Sequence, residues 1–280
     1  GELVFALDIG TRSIIGIVGK VEDDLFKVLA IESEEHSKRS MKDGQIENIE
    51  QVAQVAQRVK KRLESKLHVT LKKVCIAAAG RALRTQKASY EMQLEQTSHI
   101  DGELIGRLEI GAVTAAEEAF HKESSAEDEE LGRGFFLVGY SVLSYYLDNL
   151  NISSLMDHKG KTLKAEVIAT FLPREVVDSL YMTMQKCGLE VVSMTLEPIA
   201  AINAAIPKDL RLLNLALIDI GAGTSDIAVC RDGAVTGYTM ATVAGDEITE
   251  VLMKQFLVDF QTAEQIKMQY AAQESLTFTN

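Results

Sequence analysis

The apolar positions of the chain are punctuated so that one pattern appears twice. Leu7-Asp8-Ile9-Gly10-Thr11-Arg12-Ser13-Ile14-Ile15-Gly16-Ile17-Val18 returns as Ile218-Asp219-Ile220-Gly221-Ala222-Gly223-Thr224-Ser225-Asp226-Ile227-Ala228-Val229. In each copy an apolar run ends in Asp-Ile-Gly, a tight turn follows and a second apolar run leaves it, which predicts strand, glycine turn, strand. A further turn leads to a third strand, over Leu25 to Ile31 after Glu22-Asp23-Asp24 and over Ala234 to Ala241 after Arg231-Asp232-Gly233. The repeat therefore covers a three-strand meander.

Between the copies the period changes. Ile49, Val52, Ala56, Val59 and Leu63 recur at helical spacing, and Val74 to Ala79 reads as a buried strand. Ala165, Val167, Ala169 and Phe171 alternate as a strand. Pro173 to Cys187 is helical with Gly188 as its stop, and Val191 to Met194 is again a strand. Glu197-Pro198 opens a short helix through Ala205, with proline in the first turn, where its missing N–H is not needed. Strands alternating with helices indicate an α/β fold. The stretch from about Arg84 to Lys161 breaks the rhythm, with a strand over Thr85 to Leu94, a helix over Asp101 to Lys122, an acidic loop over Glu123 to Glu130 and a long strand over Phe135 to Tyr146. It reads as a small inserted α+β subdomain.

Composition narrows the function classes. Of 280 residues, 46% are hydrophobic and 25% charged, enough apolar material for packed cores. The net charge of −12 argues against nucleic acid as a partner, because a phosphate-tracking surface needs a basic excess. No apolar run approaches the roughly 18 residues of a membrane-spanning helix, and no signal peptide is evident, so a soluble cytoplasmic protein is expected. Cys75, Cys187 and Cys230 stand far apart in apolar surroundings, which predicts free buried thiols. The five histidines share no ligand spacing and receive no chemistry. The acidic run is expected to be a solvated loop.

The repeated turns are the candidate chemistry. Glycine lets backbone N–H groups approach an anion, and an aspartate beside each turn suits a magnesium ion held through water, since Mg²⁺ prefers oxygen and sheds its own water reluctantly. One such turn alone is as well explained by a plain hairpin. Two related turns can grip one polyphosphate from both sides. Asp8-Ile9-Gly10-Thr11 resembles the first, and Asp219 to Asp226 the second, phosphate motif of the superfamily of actins, sugar kinases and heat-shock-chaperone ATPases. That resemblance implies ATP and Mg as cofactors, with Thr11 at the β-phosphate, Gly223 and Thr224 at the γ-phosphate, and Asp8 and Asp219 in the magnesium shell. Gly10, Arg12, Gly221 and Ala222 complete the two turns. Glu197-Pro198-Ile199-Ala200-Ala201 looks like the superfamily's connecting segment, whose acidic residue orients the attacking water; a residue that merely precedes a proline-started helix is the other reading of Glu197. Gly245-Asp246 resembles the γ-phosphate loop. Thr262 to Lys267 matches the Thr-Ala-Glu-x-Ile-Lys segment of bacterial actins, placing Glu264 and Lys267 near ribose and adenine; it also reads as a helix capped by Thr262.

Within the superfamily, the inserted strand-helix-strand-strand unit and Ser40-Met41-Lys42-Asp43-Gly44-Gln45-Ile46 resemble the FtsA family of bacterial cell-division proteins, with the PilM-like pilus proteins and the small-molecule kinases as alternatives. The resemblance implies duplicated actin-like (ribonuclease-H-like) domains: 1–83 as the first part of the first, 84–161 as the insertion, 162–206 as its end with the connecting helix, and 207–280 as the start of an incomplete second domain. Arg12-Ser13 stands where the family commonly has Thr-Thr-Lys, and Ala222 where it has glycine. The family also continues beyond the Glu-x-x-Lys helix, so a C-terminally truncated piece with weak or absent nucleotide binding is expected. A full-length parent is expected to be a slow ATPase at most, to self-associate into filaments, and to bind a tubulin-like division protein and other division proteins. It is expected to lie cytoplasmic and peripheral to the inner face of the membrane, through a C-terminal segment not present here.

Overall fold

The computed structural model describes residues 2–271 apart from 24, 37–39, 43, 79–82, 124–133, 208, 209, 211, 212, 232 and 233. Most of the expected acidic loop, Ala79, the Asp232-Gly233 turn and residues 272–280 of the expected second domain lie outside the described residues. The first meander is β1 (Leu3–Ile9), β2 (Ser13–Glu22) and β3 (Leu25–Glu35), all antiparallel. A two-strand turn, β4 (Met41–Lys42) and β5 (Gln45–Ile46), bends at Gly44 with φ of 76°, a left-handed conformation natural to glycine. Helix α1 (Ile49–Leu67) begins where the Asn48 side chain accepts from the Gln51 N–H at 3.0 Å. It buries Val52, Val55, Ala56, Val59 and Leu63 on the sheet. Gly16 lets it approach, since a Cβ there would lie 2.7 Å from Val59 and 2.8 Å from Leu63. β6 (Lys73–Ala78) then runs parallel to β1, an arrangement that needs a long crossover such as the one containing α1.

The next layer is β7 (Arg84–His99), α2 (Gly102–Glu123), β8 (Phe135–Leu147), β9 (Leu150–Ile152) and β10 (Lys159–Pro173), a sheet ordered β7-β10-β8-β9. Leu108, Ala112, Ala116 and Phe120 of α2 pack on Leu163, Ala165, Val167, Ala169 and Phe171 of β10 as a core of their own. The Phe120 and Phe171 rings stack at 4.1 Å. β7 is longer than the expected Thr85–Leu94, and β10 begins before Ala165, at Lys159, with its register against β7 shifting between Gly160 and Thr162. Both extensions are polar stretches drawn into strand by ladder pairing, Gly160 opposite Ser98 and Thr162 opposite Gln93.

Helix α3 (Arg174–Lys186) joins α1 over the first sheet, and Gly188, with φ of 64°, ends it as predicted. β11 (Glu190–Leu196) completes the order β11-β6-β1-β2-β3. Helix α4 (Glu197–Ala205) carries Pro198 in its first turn and leads to the second meander, β12 (Leu215–Ile220), β13 (Ser225–Arg231) and β14 (Ala234–Ala241). The two meanders share even their irregularity: the register slips between Val18 and Gly19 in the first and between Val229 and Cys230, the equivalent point, in the second. Helices α5 (Gly245–Phe256) and α6 (Phe260–Ala271) follow. Asp259, not Thr262, caps α6: its carboxylate accepts from the Thr262 N–H at 2.8 Å, and the helix has already begun at Phe260. Among the described residues no disulfide joins Cys75, Cys187 or Cys230, and Cys75 is only half-buried. No helix of the described residues is long and apolar enough to cross a membrane.

Candidate functional site

The two repeated turns are built alike. The Gly10 N–H donates to the Ser13 carbonyl at 3.0 Å, and the Gly221 N–H to the Thr224 carbonyl at 2.9 Å. Each glycine amide thus closes its own turn and is not offered to a ligand. Among the described residues no backbone carbonyl accepts from the N–H of Thr11, Arg12, Ala222 or Gly223, so these are the amides left for an anion. Ala222 is not among the residues with positive φ, which is why a methyl group fits there. The turns meet: a Cβ on Gly223 would lie 2.8 Å from Cγ2 and 3.1 Å from Oγ1 of Thr11.

Four carboxylates gather behind the turns. Asp219 and Asp226 stand opposite each other across β12 and β13, where the first copy pairs Asp8 with Ile15. Like charges in that position repel, and so call for a compensating partner. Burial, then the charges of Asp219 and Asp8, push the Asp226 carboxyl up to about 6. Burial, then Asp219, raises Asp8. Glu197, at the start of α4, is pushed up to about 8 by burial and then by Asp8, Asp226 and Asp219. Among the described residues no three such side chains stand close enough to ligate one ion directly. Any cation held here keeps its own water as the bridge.

Helices α5 and α6 wall the other end. The Gly245 N–H donates to the Gly221 carbonyl at 3.1 Å and the Asp246 N–H to the Ala222 carbonyl at 2.8 Å, so the start of α5 is bonded to the second turn. The Lys267 ammonium is shared among the Gly245 carbonyl at 3.1 Å, Thr249 Oγ1 at 2.9 Å and Glu264 at 2.8 Å. Thr249 donates to Glu264 at 2.6 Å. Arg12 reaches across from the first turn to both Asp246 and Glu264. Burial pushes the Glu264 carboxyl up, but Lys267, Thr249 and Arg12 outweigh it and hold it below the usual carboxylate range. A cavity of about 1040 Å³ opens beside this network, lined among others by Thr11, Arg12, His36, Asp246, Phe260 and Glu264.

The candidate residues therefore fall in two groups around one line. Asp8, Asp219 and Glu197 lie on the carboxylate side; Arg12, Gly245, Asp246, Glu264 and Lys267 lie on the cavity side; Gly10, Thr11, Gly221, Ala222, Gly223 and Thr224 run between. The cavity lining does not include Asp8, Asp219, Asp226 or Glu197. Three residues were not picked out from sequence. Asp226 was legible once the antiparallel pairing with Asp219 was drawn. His36, whose Nε2 lies 3.1 Å from the Gly10 carbonyl, and buried Thr249 carry no motif and are found only by folding the chain.

The family model "Cell division protein FtsA" matches residues 216–277. The cell division protein FtsA of Pseudomonas aeruginosa is 26% identical over 276 residues, covering 97% of this chain and 61% of that protein. The chain is thus similar to FtsA proteins over nearly its whole length. Among solved structures, the PilM-PilN type IV pilus biogenesis complex superposes with a TM-score of 0.64 at 17% identity, over 95% of this chain and 69% of that one. The ethanolamine utilization protein EutJ from Carboxydothermus hydrogenoformans gives 0.54, also at 17% identity, over 96% of this chain and 62% of its own. These likenesses are of fold, and the fold is actin-like α/β. The FtsA-like chain thus spans about three fifths of the length of its curated relative.

Proposed function

We propose that, within its whole protein, this chain binds ATP with Mg²⁺ along the line between its two turns, and that the protein works in bacterial cell division. The observation that carries the reading is the meeting of two equivalent Gly-closed turns, Thr11 against Gly223, with carboxylates on one side and a cavity on the other. Free amides at 11, 12, 222 and 223 suit phosphate oxygens, and the Thr11 and Thr224 hydroxyls add donors. The carboxylates suit a divalent cation: burial and mutual repulsion raise Glu197, Asp226 and Asp8, a load that a positive ion relieves. Asp8, Asp219 and Asp226 would hold Mg²⁺ through its waters. Bound there, the ion supplies charge neutralisation for the phosphate chain. Glu197, once ionised, orients the attacking water, a positioning role. Glu264 and Lys267 face the nucleoside end. Slow hydrolysis fits a carboxyl that is mostly protonated at neutral pH without a cation.

The curated relatives are named cell division proteins, and we extend the reading to a whole protein that is a filament-forming adaptor at the inner face of the membrane and binds a tubulin-like partner. The layer built on α2 and β10, expected over 84–161, offers the surface for such contacts. Fluorescence titration with a labelled ATP, with Mg²⁺ and with EDTA, tests the site. Saturable binding that EDTA abolishes and Asp219→Ala weakens at least tenfold supports it; binding indifferent to both rejects it.

A further inference from the structure

We propose that Arg12 is a positioning residue that locks Asp246 and Glu264 against the first turn, rather than a ligand for a bound phosphate chain. The proposal rests on the nucleotide reading only for the ligand it affects; the lock belongs to the ligand-free chain. Arg12 leaves the first turn, and groups from the second half take up its guanidinium. One Nη donates to Asp246 and the other to Glu264, while Cζ sits 5.6 Å from the centroid of the Phe260 ring. A planar fork with an aromatic-compatible face suits two carboxylates and a ring at once.

The lock extends beyond the pair. Glu264 also accepts from Thr249 at 2.6 Å and pairs with Lys267 at 2.8 Å, so one chain of charge-assisted contacts joins the first turn to both α5 and α6. Asp246 in turn donates its backbone N–H to the Ala222 carbonyl at 2.8 Å. At the position of the second turn equivalent to Arg12 stands Gly223, whose missing side chain admits Thr11. The turns divide the work: one leaves room, the other bridges. Without Arg12 the described cavity wall would keep Glu35, Asp246, Glu250 and Glu264 against Lys254, a balance that disfavours an anion.

Hydrogen exchange of the ligand-free chain tests the lock in the wild type, Arg12→Ala, Arg12→Lys, and Asp246→Asn/Glu264→Gln with and without Arg12→Ala. Losing two charge-assisted hydrogen bonds should speed exchange at the Gly245, Asp246, Thr262 and Ala263 amides roughly tenfold in Arg12→Ala. Arg12→Lys should restore less than half of the protection, because an ammonium on a flexible stem does not span both carboxylates. In the Asp246→Asn/Glu264→Gln background Arg12→Ala should add nothing. Unchanged exchange in Arg12→Ala, full restoration by lysine, or an undiminished effect in that background overturns the proposal. A parallel Mg-ATP titration of the same variants in the whole protein separates the two readings. If the wild type does not bind, the nucleotide reading falls and exchange still decides the lock; if Arg12→Lys binds as the wild type does while Arg12→Ala does not, Arg12 is a phosphate ligand and the lock is wrong.

Discussion

Glu197 is where burial and three neighbouring aspartates act on one proton. A folded-state value of about 8, above the ordinary 4.5, means the folded chain favours the protonated acid. Its contribution to stability is fully present below about pH 4.5 and is lost as pH rises through about 8. Glu197→Gln should therefore be more stable than the wild type at pH 8.5, by on the order of 1 kcal/mol or more, and nearly equal to it at pH 4.5. Thermal melts of both proteins at the two pH values check this, and parallel pH curves would refute it. Gly223 makes the second prediction at this scale. A side chain there meets Thr11, so Gly223→Val should push the turns apart and weaken Mg-ATP binding at least tenfold, with a melting point close to that of the wild type. The motif residues were legible because each turn is local in sequence. Arg12's partners, Asp246 and Glu264, were not: nothing in a motif says which side chain crosses a cleft to which helix.

The helices and strands show how far pattern reading goes and where it stops. Both meanders, α1, α3, α4 and their glycine and proline boundaries follow from short-range periodicity and turn chemistry, and the folded chain agrees with them. β10 and β7 run longer than their apolar alternation because the partner strand, not the local sequence, satisfies their polar ends. The α6 start was misplaced because Thr262 and Asp259 are both good caps, and the backbone chose the earlier one. The repeat also hides an inequality. Leu7 and Ile9 of β1 are 2% and 4% exposed beneath α1 and beside β6, whereas Ile218 and Ile220, their equivalents on β12, are 58% and 66% exposed. Fewer apolar contacts mean a lower local opening free energy. β12 should exchange its amides faster than β1 in this chain, and equal protection of the two strands would contradict that. Close helix packing makes a further prediction. Gly16→Ala, whose methyl group would strike Val59 and Leu63, should cost about 1–3 kcal/mol in denaturant unfolding. Gly188→Ala has open space around it and should cost only the left-handed backbone term, about 1 kcal/mol.

At the scale of the whole molecule, duplication brings two hairpins made far apart in sequence to one line, with a carboxylate cluster on one side and an Arg12-centred network on the other. The α/β class and the repeat were readable from sequence, as were three of the four clustered acids; the fourth, Asp226, joins them through strand pairing. Function depends on whether the line is occupied as a unit. Hydrogen exchange with and without saturating Mg-ATP, read at residues 8–13 and 219–226 together, decides this most directly. Protection is expected at both turns at once, and is lost when EDTA removes the metal. Protection at one turn alone, or at neither, would contradict it.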